Sequence, residues 1–198
     1  MARRRNIETL VEAAQGGSLA KVQEFLERGA DVNSRDQDGC TALQLAIGDG
    51  FRKVATVLLA HGADPSLVDN SGFTLLHWAA FSNDPVSLEL AFLPDVGIDP
   101  LDNSGRTPLS YAVSLDCPLA MKWLLSKGAD PNRPDRNGWT PLHFAAAGEN
   151  AALIEPLLEA GASAMVESND DETPFEVAQR LEHEEAALRL RMRMDNGI

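Results

Sequence analysis

Gly138-Trp139-Thr140-Pro141-Leu142-His143-Phe144-Ala145 is one of several near copies of a single phrase, and its recurrence decides the fold. Thr41, Thr74, Thr107, Thr140 and Thr173 stand 33 residues apart. The phrases that follow them are Ala42-Leu43-Gln44-Leu45-Ala46, Leu75-Leu76-His77-Trp78-Ala79, Pro108-Leu109-Ser110-Tyr111-Ala112, Pro141-Leu142-His143-Phe144-Ala145 and Pro174-Phe175-Glu176-Val177-Ala178. Gly39, Gly72, Gly105 and Gly138 precede four of the threonines at one offset. Apolar pairs keep step at Phe25-Leu26, Leu58-Leu59, Ala91-Phe92, Leu124-Leu125 and Leu157-Leu158. Terminators Gly29-Ala30-Asp31, Gly62-Ala63-Asp64, Gly128-Ala129-Asp130 and Gly161-Ala162-Ser163 close most units. A long fixed period of this kind marks a repeat array.

Each part of the period has a physical task. A threonine hydroxyl can cap a first helix, and Pro108, Pro141 and Pro174 follow at the first helical position, where a missing N–H costs nothing. Stripes such as Val22, Phe25, Leu26 and Val54, Val57, Leu58 define the buried side of a second helix. The terminal glycines supply a left-handed residue after it. Asp69-Asn70-Ser71-Gly72 and Asp102-Asn103-Ser104-Gly105 are turn chemistry, expected at the tips of hairpin fingers. Ala13, Ala46, Ala79, Ala112, Ala145 and Ala178 fall in register, as close helix approach requires. Two irregularities stand out. Pro94-Asp95-Val96-Gly97 replaces the third terminator, ending a helix expected from Asp84-Pro85 to Leu93. Pro156 falls inside the expected second helix of the fifth unit, where it should kink the helix at a cost on the order of 3 kcal/mol.

Period, phrase and terminator together resemble the ankyrin repeat, across roughly residues 6–186. The resemblance implies an all-α solenoid, tight and curved, of about six helix-turn-helix units with hairpin fingers and polar capping units at both ends. The units are expected at 6–37, 38–70, 71–103, 104–136, 137–169 and 170–186 plus a C-terminal helix. Residues 1–5 would be a flexible basic N-terminus, and 187–198 a C-terminal cap or tail. Within that tail, Leu188-Arg189-Leu190-Arg191-Met192-Arg193-Met194 alternates with period two, which suits a strand, but it continues a helical segment and reads better as a frayed capping helix.

The resemblance further implies a non-enzymatic module, an adaptor, scaffold or inhibitor, that binds a partner protein through finger tips and a concave face of first helices. Phe73, Arg106 and Trp139 stand just before the threonines, and Trp78, Tyr111 and Phe144 lie within the first helices. Phe81 and Leu115 fall where the family leaves residues exposed. These eight are the candidate partner-binding residues, aromatics and arginine being common interface anchors. Trp78, Tyr111 and Phe144 can equally pack between adjacent units, and both readings stand. Phe73, Phe81 and Trp139, as aromatics near loop tips, point to a partner.

With 17 basic and 30 acidic residues the formal net charge is −13. Such a surface repels nucleic-acid backbones and steers basic partners inward, or serves solubility alone. An acidic inhibitor of the immunity type, blocking a basic enzyme such as a nuclease, is the alternative function. Two cysteines make neither a disulfide framework nor a metal spacing, which suits a reducing compartment, and a cytoplasmic monomer is expected, with a nuclear location possible in a eukaryote. Glu8 and Glu12 interrupt what would be the apolar part of a signal peptide, and the apolar run from Val54 to Ala60 is too short to span a membrane.

Catalytic readings are weak. His77 and His143 occupy the family phrase, where an imidazole braces the backbone. Cys117 precedes Pro118 at a helix start that could lower its pKa, but spacing assigns it no base. Gly48-Asp49-Gly50 lacks the strand and glycine pattern of a phosphate loop. No catalytic residue, cofactor or metal is expected.

Overall fold

A computed structural model describes residues 9–195; the basic segment 1–5 lies outside them. The described chain is helical, with one isolated bridge, Arg35 to Thr41, and no strand. It divides into two compact units, residues 9–96 and 97–195.

The first unit holds three helix pairs: α1 (Leu10–Gln15) with α2 (Leu19–Glu27), α3 (Ala42–Gly48) with α4 (Arg52–Ala60), and α5 (Leu75–Phe81) with α6 (Pro85–Ala91). α3 packs between α1 and α5, and each second helix backs its own first helix. The second unit holds α7 (Pro108–Ser114) with α8 (Pro118–Ser126), α9 (Pro141–Ala147) with α10 (Ile154–Glu159), and α11 (Pro174–Arg180) with α12 (Glu184–Asp195). There α9 lies between α7 and α11.

First helices of six or seven residues are far too short to persist alone, so caps and stacking must hold them. Every one begins at a threonine in extended conformation. Thr41 Oγ1 accepts the Gln44 N–H at 3.3 Å while Gln44 Oε1 accepts the Thr41 N–H at 2.8 Å, a reciprocal box. Glu12, His77, His143 and Glu176 close the same box on their threonines. The register alanines are all buried, which permits the close approach of neighbouring first helices.

Fingers are tied to their neighbours through the backbone. The Asn70 N–H donates to the Asp38 carbonyl at 3.0 Å in the first unit, and the Asn169 N–H to the Asn137 carbonyl at 2.9 Å in the second. Gly138 shows the resulting constraint: φ is +77°, and a Cβ there would sit 2.7 Å from the Asn169 nitrogen. Asp171 takes the same register position with φ +57°.

Two departures have local causes. α6 stops at Ala91, two residues short of the expected Leu93: Phe92 is already extended, Pro94 lacks the N–H that would continue the helix, and Gly97 then takes the left-handed position at φ +82°. Pro156 does not fall in the interior of a helix as expected: a 3₁₀ turn, Ala151–Leu153, replaces the first turn, α10 begins at Ile154, and Pro156 falls in its opening turn, where no intrahelical N–H is needed. The alternating run from Leu188 is helical throughout, with Leu190 fully buried on α12.

Asp99 occupies the register of Asn132 but lacks its amide. Asn132 Oδ1 accepts the Ser163 N–H at 2.7 Å and its Nδ2 donates to the Gly161 carbonyl at 2.8 Å. Asp99 Oδ2 accepts the Asp130 N–H at 2.9 Å, while its buried Oδ1 finds no donor. Burial, and secondarily the charge of Asp130, push its carboxyl above the ordinary value. An acid raised on folding favours the protonated native state, so stability declines as pH rises from the unfolded pKa through the folded one. Asp99→Asn is therefore expected to raise the melting temperature at pH 7 by about 2–4 °C, with a smaller gain near pH 4, as read by thermal denaturation.

Candidate partner-binding surface

Seven of the eight candidate residues fall into two side-chain clusters, one in each compact unit. In the first, the Phe73 ring stacks on His77 at 5.4 Å and meets Phe81 edge-on at 5.6 Å, and Trp78 meets Phe81 at 5.6 Å. All three aromatics are half-buried. Trp78 Nε1 donates to Asp69 Oδ2 at 3.1 Å, and Asp69 Oδ1 accepts the N–H groups of Ser71 and Phe73. The carboxylate at the finger base thus shapes its own turn and fixes the indole.

In the second unit the Arg106 guanidinium lies 3.9 Å from the Phe144 ring centroid and 4.7 Å from that of Tyr111. These are cation–π distances, and Asp135 adds a carboxylate 3.9 Å from Arg106 Nε. Trp139 packs on Phe144 at 5.1 Å and on His143 at 5.9 Å. The Tyr111 hydroxyl donates to Asp102 Oδ2 at 2.7 Å. Burial alone would raise the Asp102 carboxyl, but that hydroxyl, Ser104 and the Arg106 N–H outweigh it and hold the group below its ordinary value. Burial, then the bond to Asp102, raises the Tyr111 phenol.

Phe73 and Trp139 do not stand at loop tips. Each directly precedes a helix-capping threonine, at the base of the finger, and lies half-buried against the histidine of the next turn. Leu115 joins neither cluster. It caps the far end of α7, 53% exposed, and lines a separate cavity. The aspartates at the finger bases are the residues that sequence reasoning took only for turn formers. Asp69 and Asp102 stand nine positions before Trp78 and Tyr111, a spacing that could have marked them as partners of the ring polar groups.

The candidate chemical groups are held for structure. His143 Nδ1 accepts the Thr140 N–H at 3.1 Å, and Nε2 lies 3.0 Å from the Glu172 carbonyl. The imidazole therefore accepts through Nδ1 and donates through Nε2, and it is neutral; burial depresses its pKa. Burial also pushes the Cys117 thiol up, aided by Asp116, and drives Cys40 up to about 12, with Asp36, Asp69 and Asp38 adding to the effect. Neither is a thiolate at neutral pH, and a nucleophilic Cys117 is set aside. Among the described residues no cluster of His, Cys, Asp or Glu could hold a metal ion, and no helix is long and apolar enough to cross a membrane. Both thiols are expected to resist iodoacetamide in the native protein at pH 8, and both to react once guanidinium unfolds it. Rapid native labelling of Cys117 in a peptide map would contradict that assignment.

The chain's relatives agree with this geometry. Residues 10–100 match the family described as "Ankyrin repeats (3 copies)", and residues 109–158 match "Ankyrin repeats (many copies)". An ankyrin repeat-containing protein of Treponema pallidum (strain Nichols) is 40% identical over 81 residues, 41% of this chain and 27% of that protein. The mitochondrial disaggregase of Homo sapiens is 44% identical over 61 residues, 31% of this chain and 9% of that enzyme. The chain thus spans less than a third of the length of these curated relatives. Among solved structures, a chain from the complex of the predatory endopeptidase Bd0816 from Bdellovibrio bacteriovorus with immunity protein Bd3460 superposes with a TM-score of 0.77 at 25% identity, covering 94% of this chain and 98% of that one. With repeats matched through most of its length and the helix-helix-finger unit visible in both halves, this chain belongs to the ankyrin repeat family and is built as a protein-binding module.

Proposed function

We propose that this protein is a non-catalytic binder of one partner protein, gripping it through the finger bases and first-helix faces that carry Phe73, Trp78 and Phe81 in one unit and Arg106, Tyr111, Trp139 and Phe144 in the other. The observation that carries the reading is the pair of aromatic clusters. Both are half-buried and each is held in place by a carboxylate at a finger base. Anchors fixed before binding lose little side-chain entropy on docking. An aromatic or arginine anchor of this kind can contribute 2 kcal/mol or more.

A second reading is favoured by the structural neighbour. The chain resembles, over nearly its whole length, a chain from an endopeptidase–immunity protein complex. An acidic inhibitor that shields a basic enzyme in the same manner accords with the net charge of −13. Two buried, unbridged thiols accord with a reducing compartment such as the cytoplasm.

The test is affinity capture from the source cell, with wild type and a Phe73→Ala, Phe81→Ala, Trp139→Ala variant whose fold is first verified by thermal melting. A protein retained by wild type should bind the variant about 100-fold or more weakly, measured afterwards by calorimetry with the purified pair. Equal binding by both baits would remove these anchors from the interface. If the captured protein is an enzyme, its inhibition by wild type, weakening as salt rises, supports the second reading; full activity in the complex removes it.

A further inference from the structure

The turns joining the two helices of each pair follow one pattern with one exception. Gly17, Gly50, Asn83, Asp116 and Glu182 all have left-handed φ, between +48° and +72°. The residues before them, Gly16, Asp49, Ser82, Leu115 and Leu181, sit near φ −69° to −102° with ψ between −16° and +11°. In the fifth pair Gly148 is instead extended, with φ −83° and ψ +163°, and the second helix begins through its 3₁₀ turn. Beside this turn lies a cavity of about 510 Å³, bounded on its other side by the turn after α7.

Its lining sorts by chemistry. Val113, Ala145 and Leu153 are buried and form an apolar floor. Leu115 supplies an exposed apolar wall, and Asp116 and Glu149 bring two exposed carboxylates. Asn150 Nδ2 donates to Asp116 Oδ1 at 2.6 Å and fixes that carboxylate at the edge. No lysine or arginine lines the cavity, and among the described residues neither carboxylate forms an ion pair. Another sizeable groove, between α11 and α12, differs: Arg191 lies in its wall, and Gln179 is exposed where its register mates Ala146 and Val113 are buried, as befits a solvated end.

We infer that this cavity is a socket for a lysine or arginine side chain presented by the partner protein. The floor takes the methylene stem and the two carboxylates take the cationic tip, as long basic side chains require. A purely apolar occupant would strip water from both carboxylates without compensation, and an acidic one would be repelled. The inference rests on the reading of the chain as a partner binder, and it gives Leu115 a role apart from the aromatic clusters.

The experiment is a titration of the full-length, ¹⁵N-labelled protein at low salt, followed by amide NMR, with Nα-acetyl-lysine methylamide as probe. The norleucine analogue, with the same stem and no charge, and the glutamate analogue serve as controls. The lysine probe should shift the amides of Leu115, Gly148, Glu149 and Leu153 with a dissociation constant on the order of 1–10 mM. Norleucine should bind about fivefold more weakly, the glutamate probe not measurably, and Glu149→Gln should weaken lysine binding about threefold with the remaining amide spectrum unchanged. Equal binding of lysine and norleucine, or no shift at these four amides, would overturn the socket. Either result leaves partner capture by the aromatic clusters intact, so the two readings fail separately.

Discussion

The side chain three residues after each capping threonine carries the heaviest structural duty in this fold. A two-turn helix cannot survive on its own hydrogen bonds, and the threonine satisfies only one of its orphan N–H groups. At Gln44 and His143 the residue at the third position works in both directions, whereas Glu12 and Glu176 only accept and Ser110 closes no box. Gln44 accepts the Thr41 N–H through Oε1 and donates through Nε2 to the carbonyls of Leu67 and Phe73 in the next finger, at 2.9 and 3.3 Å. His143 does the same with its two ring nitrogens, towards Thr140 and the Glu172 carbonyl. An amide and an imidazole are interchangeable here because each presents one acceptor and one donor in opposite directions. The brace makes helix start and finger position one constraint, and finger placement in turn sets where Phe73 and Trp139 stand.

The same economy governs the surface. Asp69 and Asp102 turn their fingers and anchor the polar ends of Trp78 and Tyr111. One edge of each ring is fixed inside and the remainder stays half-exposed. Arg106 lies over two rings beside Asp135, so the second cluster displays a cation inside an acidic protein. In the proposed binding role, charge elsewhere would favour encounter with basic surfaces and the aromatic contacts would favour retention.

Period and capping chemistry made the helix-helix-finger unit legible in the sequence, since every repeat restates the same local rule. Irregular positions were less so. Pro156 reads as a helix breaker only if the helix starts in register; a 3₁₀ turn displaces the start and makes the proline harmless. Gly148 gives no sign of its extended backbone, because glycine accepts both conformations without penalty. Phe73 and Trp139 were recognisable as candidate anchors, and each packs on the histidine four residues further on, but how far each is buried depends on stacking between elements remote in sequence. The cavity at Leu115 was invisible for the same reason: its lining comes from α7, α9 and the turns that follow them, and only its apolar wall stood out.

Replacement of His143 tests the brace most directly. His143→Gln keeps an acceptor and a donor at the two required places, as Gln44 does in its own repeat, and should stay within about 1 kcal/mol of wild type in urea denaturation. His143→Leu fills the space but strands the Thr140 N–H and the Glu172 carbonyl, and should cost about 2–5 kcal/mol. Wild type should also lose stability as pH falls below the ordinary imidazole value of 6.5, because the folded state depresses this pKa and a proton on Nδ1 would face the Thr140 N–H, whereas the glutamine variant should lose less. Equal stability of the leucine variant and wild type, or equal damage by leucine and glutamine, would contradict the account.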